Sequence, residues 1–472
     1  AEDVVVLSRY ASEASIPLIA RGAGSSVTGA ALGDGLIVDF SRFMNKIESI
    51  DEDSVTVQPG IVLDRLNEKL REQGRYFPPD PSTAAVTTIG GMLGVDSAGS
   101  RAVRIGSTRD HVVTVDLVTA GGHLMNCGIE SLDFQRQVVN PFVTDEDGFA
   151  SASVHRTIVS KLGKLLEDNA ELIEKHQPSM LRNTSGYYLR GVRRKGEINL
   201  PRLLVGSEGT LGMFTSVTLH TSVLPEFRGV ALLLFGSMEQ AIDAVLAVMP
   251  QQPSACDLLD RRLLMLGREN DSRFNQFIPA GAEAGLLIEQ TGFSEVQVRD
   301  RIAMAVAAVE DRTPGVQIAL EAYDFDGVEF LWELPRRVVG MLAKMKGATR
   351  ALPFTEDVAI PPQALREFFI RIQRVLQKHE VTSSMYSHAA SGQIHMRPFM
   401  TTPKPADATK LSALASDFNS IVLALGGTIS GEHGDGISRS CFVEQQYGPL
   451  YSVFRQIKDI FDPHNLMNPG EI

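Results

Sequence analysis

The most informative loop of this sequence reads Arg21-Gly22-Ala23-Gly24-Ser25-Ser26-Val27-Thr28-Gly29. It follows the short apolar run Pro17–Ala20, which is typical of a strand. Closely spaced glycines let backbone N–H groups approach an anion, and the serine and threonine hydroxyls add further donors. Since glycine is also common in ordinary turns, this loop alone leaves an anion site and a plain turn equally open.

Two further segments in the first half of the chain have the same character. One runs from Phe77-Pro78-Pro79-Asp80-Pro81-Ser82-Thr83 through Thr88-Ile89-Gly90-Gly91-Met92 to Ala98-Gly99-Ser100, and the other reads Gly206-Ser207-Glu208-Gly209-Thr210-Leu211-Gly212. Three such loops indicate that the chain surrounds one large phosphate-bearing cofactor. A nicotinamide cofactor is disfavoured because no strand–helix turn carries Gly-x-Gly-x-x-Gly with a downstream acidic residue, and no Walker loop occurs.

The composition is that of a globular chain of two to four domains, with 472 residues of which 43% are hydrophobic and 22% charged. A net charge of −12 disfavours sequence-blind nucleic-acid binding. Cys127, Cys256 and Cys441 are too few and too widely spaced for an iron–sulfur cluster, and they favour a reducing compartment. No apolar run approaches the length of about 18 residues that predicts a membrane span.

Apolar periodicity predicts two units of mixed helix and strand. In the first unit, helices are predicted at Glu2–Ser15, Ile61–Gln73 and Arg156–His176, and strands at Gly35–Phe40, Ser54–Gln58 and Val112–Ala120. After Leu224-Pro225 a second unit with its own sheet is predicted, with strands at Gly229–Phe235, Gly285–Gln290, Gln317–Ala322 and Phe354–Val358 and helices at Met238–Met249, Glu295–Glu310, Gln363–Lys378 and Pro403–Leu425. A last helix is predicted at Tyr447–Ile460.

Histidines and a carboxylate cluster in the second half of the sequence. His388 and His395 are seven residues apart, so one continuous strand would put their rings on opposite faces, but Ser391-Gly392 predicts a turn that brings both rings to one side. Glu432-His433 lies between glycines further on. Two histidines and a carboxylate are typical of a catalytic divalent metal. A lone histidine would more simply be a hydrogen-bonded core residue.

Taken together, these motifs resemble the FAD-binding signatures of the vanillyl-alcohol oxidase/p-cresol methylhydroxylase flavoprotein family. The order and spacing resemble the branch that contains D-lactate dehydrogenase, the glycolate oxidase FAD subunit and D-2-hydroxyglutarate dehydrogenase, in particular its long members fused to an iron–sulfur domain. The resemblance implies an α+β fold with a two-lobed FAD-binding domain of the p-cresol methylhydroxylase type (residues 1–224). It further implies an α+β substrate or cap domain with an antiparallel sheet (225–425) and a C-terminal segment that returns to the FAD-binding domain (426–472). The family's N-terminal strand is expected to be missing from this sequence.

The resemblance also implies which residues bind FAD. The pyrophosphate would lie on Arg21, Gly22, Ala23, Gly24, Ser25, Ser26 and Gly29; the flavin on Pro79, Asp80, Pro81, Ser82, Thr83, Gly90, Gly91, Gly99, Thr108, Asp110, His111 and Asn468; and the adenine or ribose on Gly206, Glu208, Gly209 and Gly212. Members with covalent flavin often carry Gly-Gly-His in the first loop. Because Gly24-Ser25-Ser26 stands there, non-covalent FAD is expected.

For the chemistry, the resemblance implies that His388, His395 and Glu432 bind a divalent metal, Zn or Mn, and that His433 is the catalytic base. Arg337 and Arg350 are implied as the clamp for the substrate carboxylate; Arg350 aligns with a lysine that precedes Phe354-Thr355-Glu356-Asp357 in the family. Arg397 replaces an asparagine of the 2-hydroxyglutarate branch, which predicts a different or larger acid. The implied reaction is the oxidation of a D-2-hydroxy acid such as lactate, glycolate or 2-hydroxyglutarate, with hydride transfer to flavin N5.

The expected partners are a small anionic 2-hydroxy acid and an electron acceptor, either a fused or a separate iron–sulfur domain. A homodimer in the cytoplasm, peripheral at the inner membrane, is a further expectation, and nucleic acid and a transmembrane segment are not expected. Two alternatives stay open. One is a flavin oxidase or ether-lipid synthase of the same fold, and the other is a metal-dependent hydrolase that uses the His/Glu cluster while the glycine loops are structural.

Overall fold

The structure is a computed structural model that describes residues 1–133, 146–345, 347, 349–353, 356–401 and 405–472. Helices and strands of the first part are α1 (Glu2–Ala14), β1 (Leu18–Arg21), β2 (Leu36–Asp39), β3 (Ile47–Ile50), β4 (Ser54–Val57), α2 (Leu63–Arg71), β5 (Arg75–Tyr76), α3 (Ile89–Val95), α4 (Ala102–Ile105), β6 (Val112–Val118), β7 (Leu124–Cys127), β8 (Ile129–Ser131), α5 (Glu146–Asp168), α6 (Ala170–His176), β9 (Arg193–Arg194), β10 (Glu197–Asn199), α7 (Leu200–Leu204), β11 (Met213–His220) and β12 (Ser222–Val223).

An antiparallel sheet forms the centre of this first part. Among the described residues its strand order is β3-β4-β11-β6-β7. The buried residues of these strands, such as Val55, Val115 and Leu219, pack in one core with apolar residues of α2, α3 and α5. The parallel pair β1 and β2 lies outside this sheet, and the glycine-rich loop 21–29 follows β1. Three of the predicted strands and the helices at α1 and α2 are confirmed with small differences at their ends.

The second part is built on a larger antiparallel sheet. Its elements are β13 (Phe227–Phe235), α8 (Met238–Val248), β14 (Ala255–Asp260), α9 (Arg261–Asn270), β15 (Ala284–Gly292), α10 (Glu295–Arg312), β16 (Gln317–Ala322), α11 (Phe325–Lys344), β17 (Thr349–Ala351), β18 (Val358–Ala359), α12 (Leu365–Lys378), β19 (Thr382–His388), β20 (Gln393–Thr401) and α13 (Pro405–Ala424). Within the described ranges the strand order is β16-β13-β15-β14-β19-β20-β17, and β18 also pairs with β20. The predicted cap sheet is therefore present.

The last part of the chain returns to the first part. Helices α14 (Gly436–Tyr447) and α15 (Tyr451–Phe461) place Val443, Phe454 and Phe461 in the same core as the five-stranded sheet. A β-bridge between Leu18 and Met467 adds a backbone link.

Three predicted elements differ from the structure. The helix predicted at Arg156–His176 is two helices, α5 and α6, interrupted at Asn169. The helix predicted at Tyr447–Ile460 is preceded by α14 and begins at Tyr451, because Gly448-Pro449 interrupts it and Pro449 has no N–H to donate. The strand predicted at Phe354–Val358 is limited to β18, and Phe354 and Thr355 lie outside the described residues. No helix in the described ranges is both long and apolar enough to span a bilayer.

Candidate active site

A large cavity lies between the first part of the chain and the cap sheet. Its volume is about 1910 Å³, against roughly 300–1,000 Å³ for a pocket that holds one small ligand. It therefore has room for a large cofactor together with a substrate. Both the glycine-rich loops and the histidine cluster line it.

Most of the residues predicted to bind FAD line this cavity. They are Arg21, Gly22, Ala23, Gly24, Ser25, Ser26, Pro79, Asp80, Pro81, Ser82, Thr83, Gly90, Gly91, Gly99, Glu208, Gly209 and Gly212. At Gly22 the loop touches the start of α3, and a Cβ atom added to residue 22 would lie 2.1 Å from Thr88 Oγ1. At Gly99, with φ +138°, a Cβ atom would lie 2.3 Å from the Asp80 carbonyl oxygen. These close approaches require glycine and form a cradle whose backbone N–H groups and hydroxyls fit a phosphate-bearing cofactor.

The structure does not bring the other predicted FAD residues to the cavity wall. Thr108 Oγ1 donates to the Ser97 carbonyl (2.7 Å), and His111 Nε2 lies 2.9 Å from the Ile105 carbonyl oxygen. Asp110 accepts from the Ser107 backbone N–H and caps a 3₁₀ turn. These three residues lie behind the cavity wall, and their side chains contact the protein instead of the cavity. Gly29 and Gly206 also lie outside the wall.

Asn468 is likewise a structural contact rather than a cavity residue. Its Nδ2 donates to the Glu208 carbonyl (2.7 Å) and to Glu471 Oε2 (2.8 Å). The C-terminal segment is thereby attached to the loop 206–212. Asn468 does not line the cavity in this structure, and its predicted flavin contact stays a prediction.

The histidine cluster is built on the hairpin of β19 and β20. His388 ends β19, a 3₁₀ turn at Ala389–Ser391 follows, and Gly392 adopts φ +77° before β20 begins. The two imidazole rings of His388 and His395 therefore face each other, with centroids 5.2 Å apart. Ile394 and Met396 are buried on the opposite face of β20, as strand alternation predicts. The predicted turn is confirmed.

Glu432 completes a group of possible metal ligands with these histidines. Its Oε1 lies 3.8 Å from His388 Nε2 and 3.5 Å from His395 Nε2. One donor atom of each residue lies within 4.8 Å of the other two. Its second oxygen, Oε2, is buried and has no hydrogen-bond partner among the described residues. An orphaned carboxylate oxygen beside two imidazole nitrogens fits a divalent cation.

Asp257, on β14, holds His388 in place from behind. His388 Nδ1 donates to Asp257 Oδ1 over 3.0 Å, which directs Nε2 towards Glu432. The fully buried Asp257 also accepts from Ser100 Oγ (2.7 Å) and from the Tyr386 hydroxyl. The histidine is therefore oriented by one carboxylate that is itself fixed by residues from both parts of the chain.

His433 lies on the loop beside this triad. Its Nε2 is 3.7 Å from Glu432 Oε1, and its Nδ1 is 3.5 Å from Glu356 Oε1. Arg397, two residues after His395 on the same face of β20, forms an ion pair with Glu356 through Nε (2.7 Å). Asp357 accepts backbone N–H groups from Glu432 (2.9 Å) and His433 (2.7 Å). Asp357 thus positions the backbone of His433, while Glu356 lies close to its Nδ1, which is buried and has no hydrogen-bond partner among the described residues.

The charges of the cluster depend on these contacts. Burial and the nearby His388 lower the pKa of His395 to about 4, so its imidazole is neutral near pH 7. Burial opposes ionisation of Glu432, but the contacts with His388, His395 and His433 hold its pKa well below the ordinary value. Burial would also lower the pKa of His388, but Asp257 and Glu432 raise it well above the ordinary value. A metal ion would therefore displace a proton from His388 on binding.

Arg337 and Arg350, predicted to clamp a substrate carboxylate, do not line the cavity. Arg337 is 46% exposed and pairs with Glu333 (2.9 Å), one turn earlier on α11. The face of α11 that lines the cavity carries Glu329, Trp332 and Arg336, at helical spacings of three and four residues, and Arg337 is turned away from it.

Arg350 is exposed on β17, at the edge of the cap sheet. It pairs with Met400, five residues beyond His395 on β20, a distance of about 16 Å along the strand. Neither arginine of the predicted clamp therefore lines the cavity, and their role stays a prediction. Of the arginines that line the cavity, Arg397 lies beside the histidine cluster.

Comparison with known proteins identifies the family. Residues 224–472 match the family described as FAD linked oxidases, C-terminal domain, and residues 1–128 match the FAD binding domain. The first match covers more than half of the chain.

The chain belongs to the FAD-linked oxidase family.

The predicted family and its FAD-binding domain are thereby confirmed. D-2-hydroxyglutarate dehydrogenase of Escherichia coli (strain K12) is 30% identical over 488 residues, covering 100% of this chain and 47% of that protein. D-lactate dehydrogenase of Archaeoglobus fulgidus is 26% identical over 479 residues, covering 100% of this chain and 89% of that protein. The chain spans about half the length of the D-2-hydroxyglutarate dehydrogenases it matches.

The fold is shared with solved structures of low sequence identity. 4-ethylphenol oxidase from Gulosibacter chungangensis superposes with a TM-score of 0.67 at 13% identity, over 100% of this chain and 87% of that chain. The predicted α+β fold class is confirmed.

Several residues of this FAD-linked oxidase site were not assigned a role from the sequence. Asp257 carried a signal, since it is an acidic residue within the apolar run Ala255–Leu259. Glu356 belonged to a recognised motif without a stated role. Ser100 and Tyr386 act through Asp257, and this contact between distant segments has no local sequence pattern.

Proposed function

We propose that this chain carries the catalytic site of an FAD-dependent D-2-hydroxy acid dehydrogenase. The observation that carries the proposal is the placement of His388, His395, Glu432 and His433 in the same cavity as the FAD-binding loops. The names of the relatives, which include D-2-hydroxyglutarate and D-lactate dehydrogenases, support the same substrate class.

His388, His395 and Glu432 fit a divalent metal, Zn or Mn. Two metal–ligand bonds of about 2.1 Å at a tetrahedral angle put their donor atoms about 3.4 Å apart, close to the 3.5 and 3.8 Å observed. These distances are too long for strong hydrogen bonds and short enough for a shared cation. When bound, the metal would polarise the 2-hydroxyl oxygen of a substrate and lower its pKa.

His433 is the residue suited to take the hydroxyl proton. Its Nε2 faces the oxygen of Glu432 at the proposed metal site, and its Nδ1 faces Glu356. The Glu356 carboxylate would stabilise the imidazolium that forms when Nε2 accepts a proton. Burial opposes ionisation of Glu356, but His433 and Arg397 lower its pKa, so this carboxylate is charged near neutral pH.

Arg397 is the residue suited to bind the substrate carboxylate. It lines the cavity on the same strand face as His395, and its guanidinium plane is fixed by two contacts with Glu356, from Nε (2.7 Å) and from Nη2 (3.2 Å). Its Nε and Nη2 pair with both oxygens of Glu356, so a substrate carboxylate that reached Arg397 would share the guanidinium with Glu356 and would bring its 2-hydroxyl near His433. When bound, non-covalent FAD supplies the two-electron acceptor for the C2 hydride.

The proposal is tested by anaerobic visible spectra of the FAD-loaded protein with a panel of D- and L-2-hydroxy acids. We expect a D-acid, including D-2-hydroxyglutarate or D-lactate, to bleach the flavin, and chelation followed by desalting to abolish this. Flavin that no D-acid reduces, in a protein with full metal and FAD content, would refute the substrate class.

A same-fold flavin oxidase or ether-lipid synthase is the second candidate, because the shared fold extends to 4-ethylphenol oxidase. Oxygen consumption with stoichiometric hydrogen peroxide would favour the oxidase. The hydrolase alternative assumes that the glycine-rich loops are purely structural. That assumption does not agree with the match to an FAD-binding domain, so this alternative loses its support. An iron–sulfur electron acceptor, a homodimer and a cytoplasmic location with peripheral membrane contact stay predictions.

A further inference from the structure

Two cavity-lining arginines differ from their neighbours in having no acidic partner. Arg104, on α4, and Arg301, on α10, form no ion pair with any carboxylate in the part of the chain that the structure describes. By contrast, Arg101 pairs with Asp80 and Glu289, and Arg228 pairs with Glu289 and Glu329. Arg101 and Arg228 therefore have carboxylate partners at ion-pair distance, whereas Arg104 and Arg301 have none among the described residues.

Neutral oxygen acceptors hold these two guanidinium groups next to each other. Arg104 Nη1 donates to Ser254 Oγ (2.9 Å), and Arg301 Nη1 donates to the Thr291 carbonyl (2.7 Å). Ser254 and Thr291 are themselves joined by a hydroxyl–hydroxyl bond of 3.0 Å. Partial burial and the proximity of Arg301 lower the pKa of Arg104 although Tyr76 and Glu289 act in the opposite direction, so the two cations lie close enough to repel each other. We call these four residues the cavity mouth.

The cavity mouth is distinct from the catalytic cluster. In the register of the cap sheet, Asp257 of β14 lies opposite His388 of β19 on one side and opposite Leu287 of β15 on the other. Thr291 lies four residues further along β15, or about 13 Å from that level. The backbone of the cavity mouth is therefore offset along the cap sheet from the strand positions that carry the histidine cluster. Arg104 is exposed to solvent at this point.

Because the whole chain is acidic, entry of an anion would be aided by a local site of positive charge. With a net charge of −12, the protein repels small organic anions at long range. Arginines that line a cleft without a carboxylate at ion-pair distance focus a local positive potential and raise the rate of anion entry.

We propose that Arg104 and Arg301 form an anion-docking site at which small carboxylic acids are captured before they reach the histidine cluster. The inference rests on the proposed function for the identity of the acid, but not for the existence of the site. The ligand class is a small mono- or dicarboxylate. A phosphate group of the cofactor would satisfy the same chemistry, and the experiment below separates the two sources.

The test uses the FAD-loaded protein and the association of 2-oxoglutarate, followed by flavin absorbance or by the fluorescence of Trp332, the single tryptophan, which lines the cavity. Because this probe is a 2-oxo acid, no turnover is needed. We expect the association rate constant of the wild type to fall about tenfold from low to high ionic strength. In the double variant Arg104→Gln/Arg301→Gln it should be about tenfold lower at low ionic strength and nearly independent of salt.

The matched control is Arg312→Gln, which removes one positive charge from the exposed end of the same helix, α10, outside the cavity. It should behave as the wild type does. A double variant that keeps the wild-type rate constant and salt dependence would overturn the proposal, and so would the absence of any binding at low ionic strength. Loss of FAD from the double variant on desalting would assign the arginines to the cofactor and also overturn it. If 2-oxoglutarate behaves as expected but no D-2-hydroxy acid reduces the flavin, the docking site stands and the proposed function fails.

Discussion

Replacing Asp257 with asparagine tests whether the proposed metal site depends on the residue that orients His388. The exchange keeps the shape of the side chain but removes its charge. Asp257 accepts from His388 Nδ1 (3.0 Å), Ser100 Oγ (2.7 Å) and the Tyr386 hydroxyl, and all three donors would face a neutral amide. An asparagine whose NH₂ group turns towards His388 would also favour the wrong tautomer, with the proton on Nε2.

The size of the effect follows from the contact that is weakened. A hydrogen bond to a charged group contributes about 1.5–3 kcal/mol, and loss of a carboxylate behind a metal-binding histidine costs about 10- to 100-fold in metal affinity. We therefore expect the dissociation constant of Zn²⁺ or Mn²⁺ to rise by one to two orders of magnitude. The hydrogen bond is fully buried, so solvent cannot replace it.

The assay is competition of the purified protein with a chelator of known affinity, with metal content measured after dialysis. Asp260→Asn is the matched control, because Asp260 is a half-buried carboxylate on the same strand that accepts the N–H groups of Leu263 (2.9 Å) and Met385 (2.7 Å) and has no hydrogen bond to a histidine in the described ranges. That variant should lose thermal stability without losing metal affinity. An unchanged metal dissociation constant in Asp257→Asn, at unchanged folding, would refute the role of Asp257.

Three other changes have expected outcomes. In a steady-state assay, Arg397→Gln should raise KM for the acid about 10- to 100-fold, because a charge-assisted contact is lost. Arg337→Gln, on the outer face of α11, should leave KM within about twofold in the same assay. Burial raises the pKa of Glu471 to about 8, so the folded state favours its protonated form. The contribution of this residue to the free energy of unfolding is complete below its ordinary pKa and is lost as the pH rises through 8. Glu471→Gln should therefore be more resistant to urea than the wild type near pH 9, by at most about 5 kcal/mol, and not near pH 4. Gly22→Ala should weaken FAD retention at least about tenfold, because its Cβ atom would lie 2.1 Å from Thr88 Oγ1, and the ratio of flavin to protein absorbance after desalting measures this.

The parts of the site that the sequence predicts well are those set by local geometry. The hairpin that brings His388 and His395 together follows from Ser391-Gly392 and strand alternation, and the shared face of His395 and Arg397 follows from the same period of two. The FAD-binding loops were also predictable, because close backbone approach leaves few residues other than glycine and small hydroxyl side chains.

The parts that the sequence predicts poorly depend on packing between distant segments. Arg336 and Arg337 are neighbours in sequence, but the rotation of α11 on the cap sheet decides that the first of them lines the cavity. Asn468 and His111 carry the chemistry of ligand-binding residues, yet backbone carbonyl groups of other loops engage their side chains. No local pattern distinguishes such a supporting contact from a direct one.

The most direct test of the proposed function is anaerobic single-turnover reduction of the bound flavin by a D-2-hydroxy acid in the wild type and in His433→Gln. The proposed mechanism predicts rapid bleaching in the wild type. It also predicts a rate at least about 100-fold lower in the variant at the same FAD and metal content, since general base catalysis contributes about 10²- to 10⁴-fold. Equal rates of bleaching in both proteins, or no bleaching by any D-2-hydroxy acid, would contradict it.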